Sequence, residues 1–179
     1  MNKQMSLKPE IFILDVDGVM TTGQFFYTES GKVMKVFGAD DNDALSLLKR
    51  FLKIRFVTGD KRGLPISQKR IVDDMHYELD LVSTIKRIEW IKERYDPSRV
   101  IYMGDGVFDH YVFRKVGYSI APANADSITK GYADYVTEKH GGNRAVAEAC
   151  LHIMEKFFVA YDPTELPGKQ TVLCGEWTI

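Results

Sequence analysis

The chain has 179 residues, of which 45% are hydrophobic and 27% are charged, and its formal net charge is -1. This length supports a single domain with a substantial core, while the near-zero charge gives no electrostatic basis for binding nucleic acid or an anionic membrane. No segment approaches the roughly 20 apolar residues that span a bilayer. Two cysteines, Cys150 and Cys174, form neither a metal-ligand spacing nor a C-x-x-C pair, so we expect a reduced, cytoplasmic protein.

Short apolar runs alternate with amphipathic segments along the chain. Strands are predicted at 11–14, 54–60, 77–82, 99–106, 117–120 and 134–136. Helices are predicted over 41–51, with Asp41 as N-cap, and over 64–75, 84–95, 107–115, 125–131 and 143–158. Residues 24–37 contain two β-prone runs around "ESGK" and predict a hairpin that turns at Gly31.

Strands that alternate with helices favour an α/β fold, a doubly wound parallel sheet of Rossmann type with helices on both faces. The hairpin is an insertion after the first strand. We expect one domain over residues 1–158, followed by a C-terminal extension over 159–179 that has no clear hydrophobic period.

Three predicted strands end in small polar clusters, "DVDG" at 15–18, "TGD" at 58–60 and "GDGVFD" at 104–109. Because the carboxyl ends of parallel strands meet at one sheet edge, Asp15, Asp17, Thr58, Asp105 and Asp109 should share one crevice. Several carboxylates in one crevice repel each other unless a cation neutralises them, and Mg2+ with its oxygen ligands is the simplest solution.

A metal-bound carboxylate cluster suits phosphoryl transfer, which depends on positioning and on charge neutralisation. Asp15 can be the nucleophile that forms an aspartyl-phosphate, and Asp17 can be the general acid and base. Thr58 and nearby backbone N–H groups can bind phosphate oxygens, and Asp105 can hold the metal. Lys86, at the start of the predicted 84–95 helix, is the candidate cation beside Asp15 and the phosphate.

In this order the four motifs resemble the signature of the haloacid dehalogenase-like phosphatases: D-x-D-G-V, Thr-Gly, a lysine before a helix, and G-D-x-x-x-D. The resemblance covers about residues 10–158. It is strongest for the small cap-less subgroup, because only a hairpin and a helix fit between Asp17 and Thr58. That subgroup includes 3-deoxy-manno-octulosonate 8-phosphate phosphatases, nonulosonate 9-phosphate phosphatases and the phosphatase-like domain of some acylneuraminate cytidylyltransferases.

The resemblance implies the same roles for Asp15, Asp17 and Thr58, with Gly59 and Lys86 also binding phosphate. It implies Mg2+ bound by Asp15, by the backbone carbonyl of Asp17 and by Asp105, with Asp109 in support. A small phosphorylated sugar acid is the implied substrate. A homotetramer is the implied assembly, in which the hairpin of one subunit helps to close the site of its neighbour.

Some positions depart from the subgroup. Residues 40–44 read "DDNDA" in place of Arg-Asp-Gly-x-Gly, Asp60 replaces the arginine after Thr-Gly, and Ala147 replaces the arginine of Gly-Ala-Val-Arg. The "DDND" run is interpreted as a solvated helix start. These departures leave a second hypothesis open, a catalytically silent phosphatase-like module that stabilises an oligomer. The retained Asp17 and Lys86 favour the enzyme.

Overall fold

The computed structural model describes residues 8–165. Its strands are β1 (Ile11–Asp15), β2 (Thr21–Thr28), β3 (Gly31–Phe37), β4 (Lys53–Thr58), β5 (Glu78–Leu81), β6 (Val100–Met103), β7 (Tyr118–Ala121) and β8 (Tyr135–Val136). Its α-helices are α1 (Asp40–Leu48), α2 (Leu64–Gln68), α3 (Arg87–Lys92), α4 (Asp109–Phe113), α5 (Ser127–Tyr132) and α6 (Ala145–Phe157). Thr84–Lys86 and Pro97–Arg99 form single helical turns, and Lys69–Asp74 continues directly from α2. Val16–Met20 is a turn in which Asp17 and Gly18 have non-helical backbone angles.

Six strands form one sheet in the order β5-β4-β1-β6-β7-β8, and every neighbouring pair is parallel. The order reverses at β1, which lies between β4 and β6. This is the doubly wound, Rossmann-like topology predicted from the alternation of strands and helices. The reversal matters for function, because ligands of such sheets bind at the carboxyl ends of the strands beside this point.

Two apolar cores lie on opposite faces of the sheet. Because successive strand side chains point to opposite faces, Phe12 and Leu14 join the core beneath α1 and α6, whereas Ile11 and Ile13 join the core beneath α3 and α4. β1 is therefore buried along its whole length, as its uniformly apolar sequence predicted. The strand that carries Asp15 is fixed from both sides.

The hairpin of β2 and β3 pairs antiparallel and forms a separate two-stranded sheet. Gly31 has a φ of +119° and is the first residue of β3. The turn lies at residues 29–30, directly before the glycine that was predicted to supply it. Only this hairpin, α1, β4 and short connections lie between Asp17 and Thr58, all within the described residues, so that stretch contains no cap domain. β2 begins at Thr21, three residues before the predicted start of the hairpin at 24.

Asp41 is not the N-cap of α1, contrary to the sequence prediction. The helix begins at Asp40, and its N-cap Ala39 makes no side-chain capping bond. Asp41 is instead fully buried, and its Oδ1 accepts a hydrogen bond from Ala147 N, in the first turn of α6, at 2.9 Å. The "DDND" run is therefore only partly solvated, because Asp41 ties α1 to the helix that packs against it.

Residues 159–165 are exposed and belong to no helix or strand. Residues 166–179 of the predicted C-terminal extension, with Cys174, lie outside the described residues. Cys150 is a free thiol buried on α6. Within residues 8–165, no helix has the length and apolar character needed to cross a membrane.

Candidate active site

The carboxyl ends of β1, β4 and β6 bring the predicted carboxylates to one edge of the sheet. Asp15 is the last residue of β1, Thr58 is the last residue of β4, and Asp105 lies just beyond β6. Carboxylate oxygens of Asp15, Asp105 and Asp109 all lie within 4.8 Å of one another. The crevice expected from the three strand ends is therefore present in the structure.

Burial and mutual repulsion disfavour the charged forms of these carboxylates. Burial raises the pKa of Asp15 to about 6 against the attraction of Arg87. Burial, followed by the charges of Asp15 and Asp109, raises the pKa of Asp105 to about 8. A hard divalent cation bound by oxygen ligands would relieve both effects. The donor set therefore fits Mg2+, although other oxygen-seeking cations fit it too.

Gly18 brings the turn after β1 close to this cluster. Its φ is +82°, and a Cβ atom there would lie 1.9 Å from Asp105 Oδ2. The turn is held on its other side, because Asn124 Nδ2 donates to Gly18 O at 2.9 Å and Gly141 N donates to Asn124 Oδ1 at 2.6 Å. The glycine of "DVDG" is thus required by the close approach of a carboxylate as well as by the turn.

Asp17 and Thr58 meet at the mouth of the crevice. Thr58 Oγ1 donates to Asp17 Oδ2 at 3.2 Å and accepts from Asp60 N at 3.1 Å. Asp17 keeps partial solvent access, whereas Thr58 is fully buried. The side chain of Asp17 is not among the three carboxylates that lie within 4.8 Å of one another.

Lys86 is not brought to the cluster, and this prediction needs correction. Its side chain is exposed in the turn before α3, while the next residue, Arg87, is 1% exposed and reaches Asp15. Arg87 Nη1 donates to Asp15 Oδ2 at 2.6 Å, and Arg87 Nη2 donates to Asp15 Oδ1 at 2.9 Å. The sequence predicts a helix from residue 84, whereas Thr84–Lys86 form a separate helical turn and α3 begins at Arg87. In this arrangement Lys86 is exposed and Arg87 is buried against Asp15.

Asp109 completes the charge balance around Arg87. It is buried, and its Oδ1 lies 3.0 Å from Arg87 Nη1 and accepts from Tyr102 Oη at 2.8 Å. Its Oδ2 accepts from Gly106 N at 2.9 Å. Two carboxylates therefore share one buried guanidinium, an arrangement in which each charge depends on the others.

Two lysines of the hairpin were missed by the sequence analysis. Lys35 Nζ lies 2.7 Å from Asp17 Oδ1, 2.9 Å from Asp60 Oδ2 and 2.9 Å from Ser67 Oγ. Lys32 Nζ lies 2.5 Å from Asp60 Oδ2. Burial raises the pKa of Asp60, but hydrogen bonds from Lys32 and Lys35 outweigh it and lower the pKa to about 2. The hairpin thus contacts the site of its own chain.

These groups surround a cleft of about 300 Å³. The lining residues come from the strand ends, the hairpin and the start of α3: Asp15, Asp17, Phe25, Lys32, Gly59, Asp60, Ser83, Thr84 and Arg87. Nucleophilic, acidic and cationic groups therefore face one small space, as a site for a compact anion requires.

Together, the doubly wound sheet and the carboxylates at its carboxyl edge define a Rossmann-like α/β protein with a buried acidic site. A family profile described as haloacid dehalogenase-like hydrolase matches residues 21–149. The chain belongs to this family.

Two similar proteins are named as phosphatases of a sugar acid phosphate. The chain is 31% identical over 143 residues to the 3-deoxy-D-manno-octulosonate 8-phosphate phosphatase KdsC of Salmonella typhi, with 78% of this chain and 76% of the relative covered. A cobalt-bound deoxy-D-mannose-octulosonate 8-phosphate phosphatase from Haemophilus influenzae is 27% identical with a TM-score of 0.72, over 83% of this chain and 88% of the other.

A second solved structure shows what such a fold can bind. It is a 3-deoxy-D-manno-octulosonate 8-phosphate phosphatase from Moraxella catarrhalis in complex with magnesium ion, phosphate ion and KDO. It is 25% identical to this chain with a TM-score of 0.70, over 86% of this chain and 88% of the other. The chain is therefore homologous to this group of phosphatases along most of its length.

Proposed function

We propose that the protein is a Mg2+-dependent phosphomonoesterase that hydrolyses a small phosphorylated sugar acid through an aspartyl-phosphate on Asp15. One observation carries the proposal: three carboxylates, those of Asp15, Asp105 and Asp109, lie within 4.8 Å of one another beside Asp17. A buried cluster of this kind is costly unless it binds a cation, and phosphoryl transfer is the chemistry for which a cation and a fixed carboxylate are both needed.

In this proposal Asp15 attacks phosphorus, and Asp17 protonates the leaving alkoxide and then activates water for the second step. Thr58 and Gly59 bind phosphate oxygens at the end of β4. Mg2+ would be held by Asp15, the backbone carbonyl of Asp17 and Asp105, with Asp109 in support. When bound, it neutralises charge on the transferred phosphoryl group.

Arg87 takes the role first given to Lys86. Its guanidinium reaches Asp15 and lines the cleft, so it can also donate to phosphate oxygens. An arginine suits this place, because its planar fork matches carboxylate and phosphate geometry. Lys86 has no such access to the cleft.

The substrate class rests on the relatives, which are named as phosphatases of an eight-carbon sugar acid phosphate. Asp60, Lys32 and Phe25 line the cleft, and in this proposal they contact the sugar part of the substrate. An octulosonate 8-phosphate and a nonulosonate 9-phosphate are both candidates.

We also propose a cytoplasmic location and a homotetramer. The hairpin supports the tetramer, because Phe26, Tyr27 and Met34 expose 45%, 59% and 53% of their surface.

The direct test is phosphate release from a panel of sugar acid phosphates with Mg2+, comparing wild type with Asp15→Asn. The variant should lose all measurable turnover, because an amide cannot form the aspartyl-phosphate. Asp43→Asn on the exposed start of α1 is the matched control and should retain the wild-type rate. Turnover that survives in Asp15→Asn would remove Asp15 from the mechanism.

One observation favours the silent-module alternative. Both proposed catalytic carboxylates are ion-paired, Asp15 with Arg87 and Asp17 with Lys35. If those pairs persist, wild type should form stable tetramers yet fail to hydrolyse p-nitrophenyl phosphate in the presence of Mg2+. Hydrolysis that depends on Asp15 would exclude this alternative.

A further inference from the structure

Arg87 Nη1 has more acceptors around it than hydrogens to donate. It lies 2.6 Å from Asp15 Oδ2, 2.6 Å from Tyr102 Oη and 3.0 Å from Asp109 Oδ1. A guanidinium NH2 group carries two hydrogens, so three acceptors compete for two N–H bonds. The side chain is 1% exposed, so these protein groups are the acceptors for Nη1 when the cleft holds no substrate.

Tyr102 takes part in this competition only as a hydrogen-bond acceptor. Its hydroxyl donates to Asp109 Oδ1 at 2.8 Å, so its oxygen meets Arg87 as an acceptor. The ring is fully buried on β6 and packs edge-on against Phe113, with the ring centroids 6.0 Å apart. Tyr102 does not line the cleft. Any influence it has on the reaction passes through Arg87 and Asp109.

We infer that Tyr102 is a positioning residue that lets Asp15 leave Arg87 during the reaction. Both Asp15 oxygens accept from Arg87 in the structure, yet a nucleophile that also binds a cation needs those oxygens elsewhere. When Asp15 Oδ2 turns away, Tyr102 Oη and Asp109 Oδ1 still accept both hydrogens of Nη1. No buried N–H group on Nη1 is then left without a partner, so the turn loses only the bond that Nη2 donates to Asp15 Oδ1.

This inference rests on the proposed function, because it takes Asp15 as the nucleophile and a metal ligand. It also explains how a buried arginine can orient Asp15 and still release it during the reaction. A guanidinium that held Asp15 with no alternative acceptor would resist the release that catalysis requires. The hydroxyl of Tyr102 supplies that alternative while the guanidinium stays in place.

Tyr102→Phe removes the alternative acceptor and keeps the ring. We expect kcat for p-nitrophenyl phosphate to fall about tenfold or more, with little change in KM, because the lost hydrogen bond is to a charged group. The Mg2+ concentration that half-saturates the rise in Tm should also increase, a readout that needs no turnover. Tyr118→Phe is the matched control, since its hydroxyl contacts His152 on the other face of the sheet.

Tyr102→Phe in an Arg87→Lys background distinguishes an effect that acts through Arg87 from a general loss of structure. A lysine Nζ rotates freely and presents three hydrogens from one atom, so Tyr102→Phe should then change kcat by no more than about twofold. Equal losses in both backgrounds, or unchanged kcat and Mg2+ midpoint in Tyr102→Phe alone, would overturn the inference. Wild type and Tyr118→Phe report the proposed function separately, because their hydrolysis does not depend on the role of Tyr102.

Discussion

Arg87 holds both oxygens of Asp15, Nη1 to Oδ2 at 2.6 Å and Nη2 to Oδ1 at 2.9 Å. This fork fixes the carboxylate at the end of β1, where the Val16 backbone N–H also donates to Oδ1 at 2.8 Å. Burial still raises the pKa of Asp15 to about 6 despite the attraction of Arg87. The pair therefore orients Asp15 without fully compensating its removal from water.

Arg87→Ala should abolish most activity and lower stability. Removing one member of a buried ion pair costs about 3–5 kcal/mol, and here Asp15 and Asp109 would both lose their cation. Phosphate release and urea unfolding measure the two effects. Lys86→Ala is the matched control and should retain the wild-type rate and stability, because its side chain is exposed. A severe defect in Lys86→Ala with a normal Arg87→Ala would restore the original assignment.

The strand ends could be predicted from sequence, whereas the choice between Lys86 and Arg87 could not. An apolar run that stops at a polar cluster marks a strand end wherever it occurs, and parallel strands then bring Asp15, Thr58 and Asp105 to one edge. Two adjacent basic residues at a helix start are different. Each residue turns the helix by about 100°, so the first helical residue decides which cation faces the site.

Gly18→Ala should abolish Mg2+ binding while the fold persists. A methyl group at this position would lie 1.9 Å from Asp105 Oδ2 and must displace that carboxylate. Isothermal titration with Mg2+ should show no binding. Gly31→Ala is the control, because it also has a positive φ, +119°, but nothing lies within 4 Å of the added methyl group. Equal Mg2+ binding by both variants would argue against Asp105 as a ligand.

Mg2+ affinity should rise with pH between about 6 and 8. Burial and the charges of Asp15 and Asp109 raise the pKa of Asp105 to about 8, so the metal-free protein carries a proton there at neutral pH. Binding must release that proton, and the apparent affinity should increase up to about tenfold per pH unit until it levels off. Titrations in buffers of different ionisation enthalpy would count the protons released.

The stability of the metal-free protein should fall as pH rises, whereas its Mg2+ affinity rises. The folded-state pKa of Asp105 lies above the ordinary aspartate value of 3.8, so the folded chain binds more protons than the unfolded chain between these two pH values. Stability then falls as pH rises towards 8. Thermal melts in EDTA should show this decline, and saturating Mg2+ should reverse it. A pH-independent affinity together with a flat melting profile would contradict the proposed ionisation.

The contacts of Lys32 and Lys35 with Asp60 could not be predicted from the sequence, because they depend on irregular pairing in the hairpin. A regular strand would place Lys32 and Lys35 on opposite faces, because they are three positions apart and successive side chains alternate between faces. The register shift between Phe26 and Tyr27 on β2 lies opposite this part of β3, and both lysines reach Asp60. Irregular pairing of this kind has no reliable signature in residue type.

Assembly of the subunits should depend on the exposed face of the hairpin. Phe26 pairs with Met34 across the two strands, and both side chains are about half exposed. Adjacent exposed apolar residues on a two-stranded sheet favour an interface. Phe26→Ser with Met34→Ser should convert a tetramer into smaller species in sedimentation velocity. Ile128→Ser removes a side chain of similar exposure, 59%, from α5 and should leave the assembly intact. If the double variant still sediments as a tetramer, the subunits associate through another surface.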